Sequence, residues 1–436
     1  MFKKNKTIIL LLFLGIFSYL IRYFFNAIIS QYLTPEYYGD FAITIRSVAI
    51  ISLVLLLGTN ISSVKYLSTY FDSNNSANIN HFLKWNLKLV FKTFLASFVC
   101  FILFYSLLIV IHQINLKNFA SYHYSLYALW LAPFSALYIL LASYLLSYKW
   151  NNLALFFNKI AMNALLVLFL FVTVFFLNIS IQFYHILLFL FITFCVIIAV
   201  ELYLVNRVLL RHNIKLTKDD IKIDPKTKRE WLFDSFRLTS VQLIFNLVCF
   251  ADLLIIELIH PNEHATGYYA AMLVIGNILW VVPSSVTSFM APRITPLIEK
   301  EKYTELQDVI NTTNYVNLPI LIITLLVMII FADFFLSLFG ASYSQVQIPL
   351  IILCVGYFFG AISLSNARIL IFLDSKKILF INILELVILI LVSIVLTYLW
   401  GILGMSIAVL LSAAIKAIIM YRICKKSLPI NPFTFM

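Results

Sequence analysis

The sequence predicts an all-α polytopic membrane protein, with twelve transmembrane helices in two parallel-repeat six-helix lobes around a central cleft. Three observations predict it. The chain is 63% hydrophobic and only 11% charged, with a mean hydropathy of +0.99, where a soluble domain carries about 25% charged residues. Apolar runs of the length a helix needs to cross a bilayer recur throughout, and they do not alternate as barrel strands would. Weak similarities return at a nearly constant spacing and divide the runs into two sets of six.

The first set of spans is 7–29, 40–64, 88–111, 123–147, 155–177 and 183–206. Lys3, Lys4 and Lys6 precede the first span and read as the flank of a signal anchor, since the apolar run is too long for a cleavable signal and no small-x-small site follows. The longest polar stretch, "RVLLRHNIKLTKDDIKIDPKTKREW" (207–231), then interrupts the pattern. The second set is 237–259, 266–290, 314–338, 348–372, 378–398 and 402–422. The expected division is an N-terminal lobe at 1–206, a basic cytoplasmic linker at 207–236 and a C-terminal lobe at 237–436.

Charge sets the expected orientation. With the N-terminus inside, the external loops hold one basic residue, Lys117. The opposite side holds Lys84, Lys149, Arg293, Lys300, Lys302, Lys376, Lys377, Lys425, Lys426 and the run from Arg207 to Arg229. This positive-inside bias places both termini in the cytoplasm. It also accounts for the formal charge of +12, so no nucleic-acid partner is expected.

The repeat rests on three pairs. "PEYYGDFAI" (35–43) and "NEHATGYYAAM" (262–272) set Gly39 against Gly267. "SVKYLSTY" and "APRITPLI" set Lys65 against Arg293. "YLLSYKW" and "IFLDSKK" set Lys149 against Lys376. Six spans per copy preserve orientation, which makes this a parallel repeat about an axis along the membrane normal.

Ionisable residues inside the bilayer are costly and mark functional sites by default. Span 1 carries Gly15, Ser18, Arg22, Asn26 and Ser30 at helical spacing, a single polar face expected to point into the cleft. Arg22 either binds substrate or pairs structurally with a carboxylate or carbonyl. Arg46 in span 2 is open to the same reading or to snorkelling outward. Asp40 at the external mouth serves ion coupling or a helix start. Span 7 is striped by Ser235, Thr239, Gln242, Asn246, Cys249 and Asp252, with Asp252 near the repeat equivalent of Arg22. Glu257 is placed to reach water. Glu201, Arg368 and Lys416 lie within reach of the cytoplasmic face, and Glu385 lies deeper. The candidate substrate-binding set is therefore Arg22, Asn26, Arg46, Asn246 and Asp252. The candidate ion-coupling set is Asp40, Glu201, Asp252 and Glu385.

Other chemistry is poorly supported. The five cysteines lie singly and show no C-x-x-C, so neither a disulfide framework nor a zinc site is implied. There is no Walker A motif. "HPNEH" (260–264) matches a zinc-protease pattern in form, but Pro261 interrupts the turn that would align its histidines. No catalytic residue, metal or cofactor is expected. Proton or Na+ coupling is the candidate energy source.

Several segments together resemble a known family. They are "YLTPEYYGDFAI" (32–43), "LLLGTNISSVKYLSTY" (55–70), "FADLLIIELI" (250–259), "TGYYAAM" (266–272), "VPSSVTSFMAPRITPLIEK" (282–300) and the turn Asp374–Lys377. With the two six-span lobes, they resemble the polysaccharide-transporter branch of the multidrug/oligosaccharidyl-lipid/polysaccharide exporter superfamily, and more narrowly a bacterial O-antigen or capsule repeat-unit flippase. The resemblance implies export of undecaprenyl-pyrophosphate-linked oligosaccharide across the inner membrane by alternating access, in lipopolysaccharide or capsule biosynthesis. It also implies lipid contact, candidate partnership with a glycan polymerase and a chain-length regulator, and function as a monomer. Related peptidoglycan-precursor flippases carry arginines on their first two helices, where Arg22 and Arg46 stand here. A pyrophosphate suits such fork-shaped donors in a low-dielectric cleft. The alternatives are a cation-coupled drug antiporter of the same superfamily, which would favour carboxylates over arginines in span 1, and a membrane-embedded glycan polymerase or ligase, which needs longer external loops.

Overall fold

The computed structural model describes residues 2–73, 75–113, 127–148, 156–176, 181–211, 225–260, 262, 264–299, 302–373, 375–427 and 429. Lys117, Lys149, Lys300, Pro261, Glu263, Asp374 and the stretch 212–224 lie outside them, as do the side chains of Lys3, Lys4, Lys6 and Arg293. The described residues are almost all helical and include no strand. This follows from the solvent, because hydrocarbon offers no partner for backbone N–H and C=O groups and a helix satisfies them internally.

The helices are α1 (Phe2–Tyr32), α2 (Pro35–Leu56), α3 (Thr59–Asp72), α4 (Ser76–Gln113), α5 (Tyr127–Ser147), α6 (Met162–Phe171) and α7 (Phe183–Arg211). After the polar stretch come α8 (Pro225–Ile259), α9 (Ala265–Gly276), α10 (Ile278–Glu299), α11 (Tyr303–Ile330), α12 (Ala332–Ser337), α13 (Gln347–Leu373) and α14 (Ser375–Ser427). Starts follow local chemistry. Pro35 and Pro225 occupy first helical positions, where a missing N–H costs nothing. Asn75 caps α4, its Oδ1 accepting the Asn78 N–H at 3.1 Å.

Ten of the described helices are long and apolar enough to cross a membrane, against the twelve expected. The span expected at 155–177 has only a short regular helix, α6, between π-helical turns at Phe157–Ala161 and Val172–Phe176. The last two expected spans run together as α14, which leaves helical geometry at Gly401 (φ 58°, ψ −133°). Residues 225–236, placed in the linker by their charge, form the first turns of α8.

Contacts divide the chain into two compact units, Met1–Gly39 with Leu247–Met436, and Asp40–Asn246. These units do not follow chain order, because α1 packs with α9 and α10.

In the first unit, α1 donates hydrogen bonds to backbone carbonyls near helix interruptions. Tyr19 Oη reaches Ile275 O at 2.9 Å, Tyr23 Oη reaches Phe335 O at 2.9 Å and Ser30 Oγ reaches Phe339 O at 3.0 Å. The starts of α2 and α9 meet in the same unit through the two glycines that the repeat aligns. A methyl group on Gly39 would sit 2.9 Å from Gly267 N, and one on Gly267 would sit 1.8 Å from Pro35 O. Only glycine fits this approach.

In the second unit, α3 and α7 pack on α5, and α4 packs on both α3 and α5. The break between α2 and α3 is left-handed at Leu57 (φ 47°) and Gly58 (φ 79°). The carbonyls it strands are answered by Thr93 Oγ1 on Leu55 O at 2.7 Å and Thr59 Oγ1 on Leu56 O at 2.8 Å. Pro133 inside α5 likewise leaves the Leu129 carbonyl without its helical donor, and Ser97 Oγ of α4 supplies one at 3.2 Å.

Gly267→Ala is expected to lower stability by at least about 2 kcal/mol, because backbone atoms must part to admit the methyl. Gly276→Ala meets side chains and no backbone, the Tyr357 ring at 3.1 Å and Cys354 Sγ at 3.9 Å, and is expected to cost less. Thermal unfolding in detergent ranks the two, and equal midpoints would contradict the close-approach account.

Candidate transport site

Arg22 is exposed on α1. Its backbone carbonyl accepts Asn26 Nδ2 at 2.8 Å, and Asn26 Oδ1 accepts the Tyr38 hydroxyl at 3.1 Å. Asn26 is buried at 8% exposure, so its amide serves to tie α1 to the start of α2. Ser30 is buried too. The polar face read from span 1 therefore has two parts, an exposed guanidinium and a buried set of hydrogen bonds between helices.

The stripe on span 7 divides in the same way. Ser235 Oγ donates to Ser62 Oγ at 2.6 Å. Thr239 lies against the α2–α3 break, where a methyl on Gly58 would fall 1.8 Å from its Oγ1. Asn246 is half-buried, and its Nδ2 donates to Gln242 O at 2.8 Å. Asp252 belongs with α1 and α9 in the first unit. It is 4% exposed, with Oδ1 accepting the Leu253 N–H at 2.7 Å and Oδ2 accepting the Tyr269 hydroxyl at 3.1 Å. Arg22 and Asp252 thus share a unit, whereas Arg46 and Asp40, both half-buried on α2, belong to the other.

The remaining carboxylates differ in how they are answered. Glu257 accepts the Thr266 hydroxyl at 2.6 Å. Glu385 and Lys416 form an ion pair at 2.6 Å, each side chain 9% exposed, so Lys416 does not snorkel outward. The signal for this pair was present in the sequence. Glu385 precedes Gly401 by 16 residues and Lys416 follows it by 15, the symmetry of a helical hairpin. Glu201 is fully buried and neither of its oxygens has a hydrogen-bond partner among the described residues. Arg368 Nε is buried and similarly unmatched. Among the described residues, no group of His, Cys, Asp and Glu side chains could hold a metal ion.

One cluster escaped the sequence reading altogether. Trp231, 2% exposed, packs at 5.1 to 6.2 Å from the rings of Tyr66, Phe82 and Trp85. Beside it Asp234 accepts hydrogen bonds from Lys65 and, at 2.8 Å, from the Tyr66 hydroxyl. These contacts dock the start of α8 onto α3 and α4. Asp234 precedes the apolar segment 237–259, and the Lys65 ammonium holds its carboxyl below the usual carboxylate range.

The family model described as "Polysaccharide biosynthesis protein" matches residues 5–300. The chain belongs to that family. Its fold matches solved MOP-superfamily transporters. An inward-facing multidrug resistance MATE family transporter aligns with a TM-score of 0.77 at 12% identity, covering 94% of each chain. A MOP superfamily transporter from Pyrococcus furiosus Vc1, whose binding pocket is described as having reverse polarity, aligns at 0.67 and 12%, covering 97% of this chain and 96% of that one. An outward-facing MATE structure aligns at 0.65 and 12%, with the same coverage. No curated protein matches the chain. This member of the polysaccharide biosynthesis family is a multi-pass membrane protein with a transporter fold.

Two outcomes follow from the ion pairs. Removing Lys416 alone (Lys416→Ala) is expected to cost about 3–5 kcal/mol by leaving a buried carboxylate behind, while Glu385→Gln with Lys416→Met stays within about 2 kcal/mol of wild type. Urea unfolding in detergent distinguishes them. Asp234 has a depressed folded-state pKa, so its contribution is full above the unfolded value of about 3.9 and is lost as pH falls through the lower folded value. Hydrogen exchange across 225–236 is expected to rise in that acid window, and Asp234→Asn is expected to abolish the step.

Proposed function

We propose that this protein carries oligosaccharide repeat units linked to undecaprenyl pyrophosphate across the bacterial cytoplasmic membrane by alternating access, for O-antigen or capsule synthesis. Both termini face the cytoplasm, and the step is transport without covalent chemistry. Membership in the polysaccharide biosynthesis family and the transporter fold support this reading.

The observation that carries it is Arg22, an exposed guanidinium within the first apolar helix. A charge there costs roughly 2.5–3.5 kcal/mol even on the most lenient insertion scale. An anionic cargo that must pass hydrocarbon repays that cost. The guanidinium offers parallel donors that match phosphate oxygens, which an ammonium does not. Asn26 fixes the turn on which Arg22 stands.

A second reading, cation-coupled drug antiport, draws on the multidrug transporters among the structural neighbours. It predicts a carboxylate where α1 places an arginine, and so ranks below the first.

In a host lacking its own flippase, Arg22→Ala is expected to reduce surface glycan at least about ten-fold, the loss of one charge-assisted contact, with protein level unchanged. Arg22→Lys is expected to restore it only in part. Full surface glycan with Arg22→Ala would refute the assignment.

A further inference from the structure

Of the four carboxylates named as coupling candidates, Glu201 stands apart. Asp252 is answered by Tyr269 and a backbone N–H, and Glu385 by Lys416. Asp40 is half-buried with its side chain partly open to the surface. Glu201 has 0% exposure and both its oxygens are unmatched among the described residues. On the same helix two turns earlier, Thr193 Oγ1 is also buried and unmatched.

Among the described residues, the surroundings contain little charge, and α7 packs chiefly on α5 and α6. Between them, α5 contributes three tyrosines and no charged residue or histidine, and α6 contributes no titratable group. Tyr138 of α5 is one of these tyrosines, and it is buried at 5% exposure. Its hydroxyl is turned toward Phe157 O at 3.4 Å. Lys159 lies in that same turn, with its side chain outside the described residues. On α7 itself, His185 accepts the Gln182 N–H near the helix start, and Arg207 and Arg211 are exposed near its end.

An isolated carboxylate in such a pocket costs far more than a carboxylic acid does. Charge can persist there only when water or a cation reaches it. We propose that Glu201 is a proton-binding site of the transport cycle, protonated when α5 and α7 close around it and ionised when their contact opens to water. One proton moves from hydronium to the carboxylate on closing and returns to water on opening. Proton binding is thereby tied to helix packing. The coupling of this site to glycan movement rests on the transport function proposed above.

The test begins without substrate. In purified protein held in lipid nanodiscs at neutral pH, infrared spectra are expected to show a protonated-carboxyl band that Glu201→Gln removes and Lys159→Met leaves in place. Absence of that band, or its appearance only when Lys159 is removed, would overturn the site. In proteoliposomes carrying lipid-linked oligosaccharide, a gradient of about one pH unit is expected to change the wild-type rate by up to about ten-fold, the factor carried by one proton. Glu201→Gln is expected to remove that response, while Glu201→Asp keeps it. A Glu201→Gln protein that still responds to the proton gradient, or a wild type driven by Na+ alone, would overturn the coupling. A band without glycan movement upholds the proton site and counts against the glycan cargo instead.

Discussion

Hydrocarbon gives no hydrogen-bond partner, so each polar group that a helix fails to satisfy must be met by another part of the chain. Much of this structure is organised by that requirement. Pro133 strands the Leu129 carbonyl and Ser97 answers it. The left-handed turn at Leu57 and Gly58 strands the end of α2, and Thr93 and Thr59 answer there. Tyr19, Tyr23 and Ser30 do the same from α1 for carbonyls near the junctions of α9 and α12. Interrupted helices are affordable because small hydroxyl-bearing side chains on neighbours stand ready.

The same rule sorts the charged residues. Lys416 and Glu385 meet within one helical hairpin and neutralise each other. Asp252 is held by a phenol and an amide. Arg22 is exposed on α1, on a turn stiffened by Asn26 and Tyr38. Glu201 is enclosed without a matching donor among the described residues. Groups that are answered hold the fold together. The roles proposed toward cargo and proton fall to an exposed arginine and to an enclosed carboxylate with no matching donor among the described residues.

The sequence made the helical membrane class plain, because composition and run length are one-body properties of the chain. It also aligned Gly39 with Gly267, and these residues prove to touch. What depends on pairing was less legible. Polar stripes mark spans 1 and 7, yet Asn26 also accepts the Tyr38 hydroxyl of α2, Ser30 reaches the Phe339 carbonyl beyond α12, and Ser235 donates to Ser62 of α3. Spacing alone shows that residues share a face, and does not show what the face meets. Charge density suggested a linker over 225–236, but one deeply buried residue, Trp231, docks that segment. The hairpin pair needed only the distance of each partner from Gly401.

The placement of α1 has a consequence for biogenesis. Its packing partners at Ile275, Phe335 and Phe339 lie 256, 312 and 309 residues downstream. A ribosome adding about 5–20 residues per second needs roughly 15–60 s to reach them. Once made, α1 therefore waits in the bilayer, with Tyr19, Tyr23 and Ser30 turned to lipid or to temporary neighbours, until α9 and α12 have followed. Assembly of that unit is bounded by translation and not by the speed of helix packing.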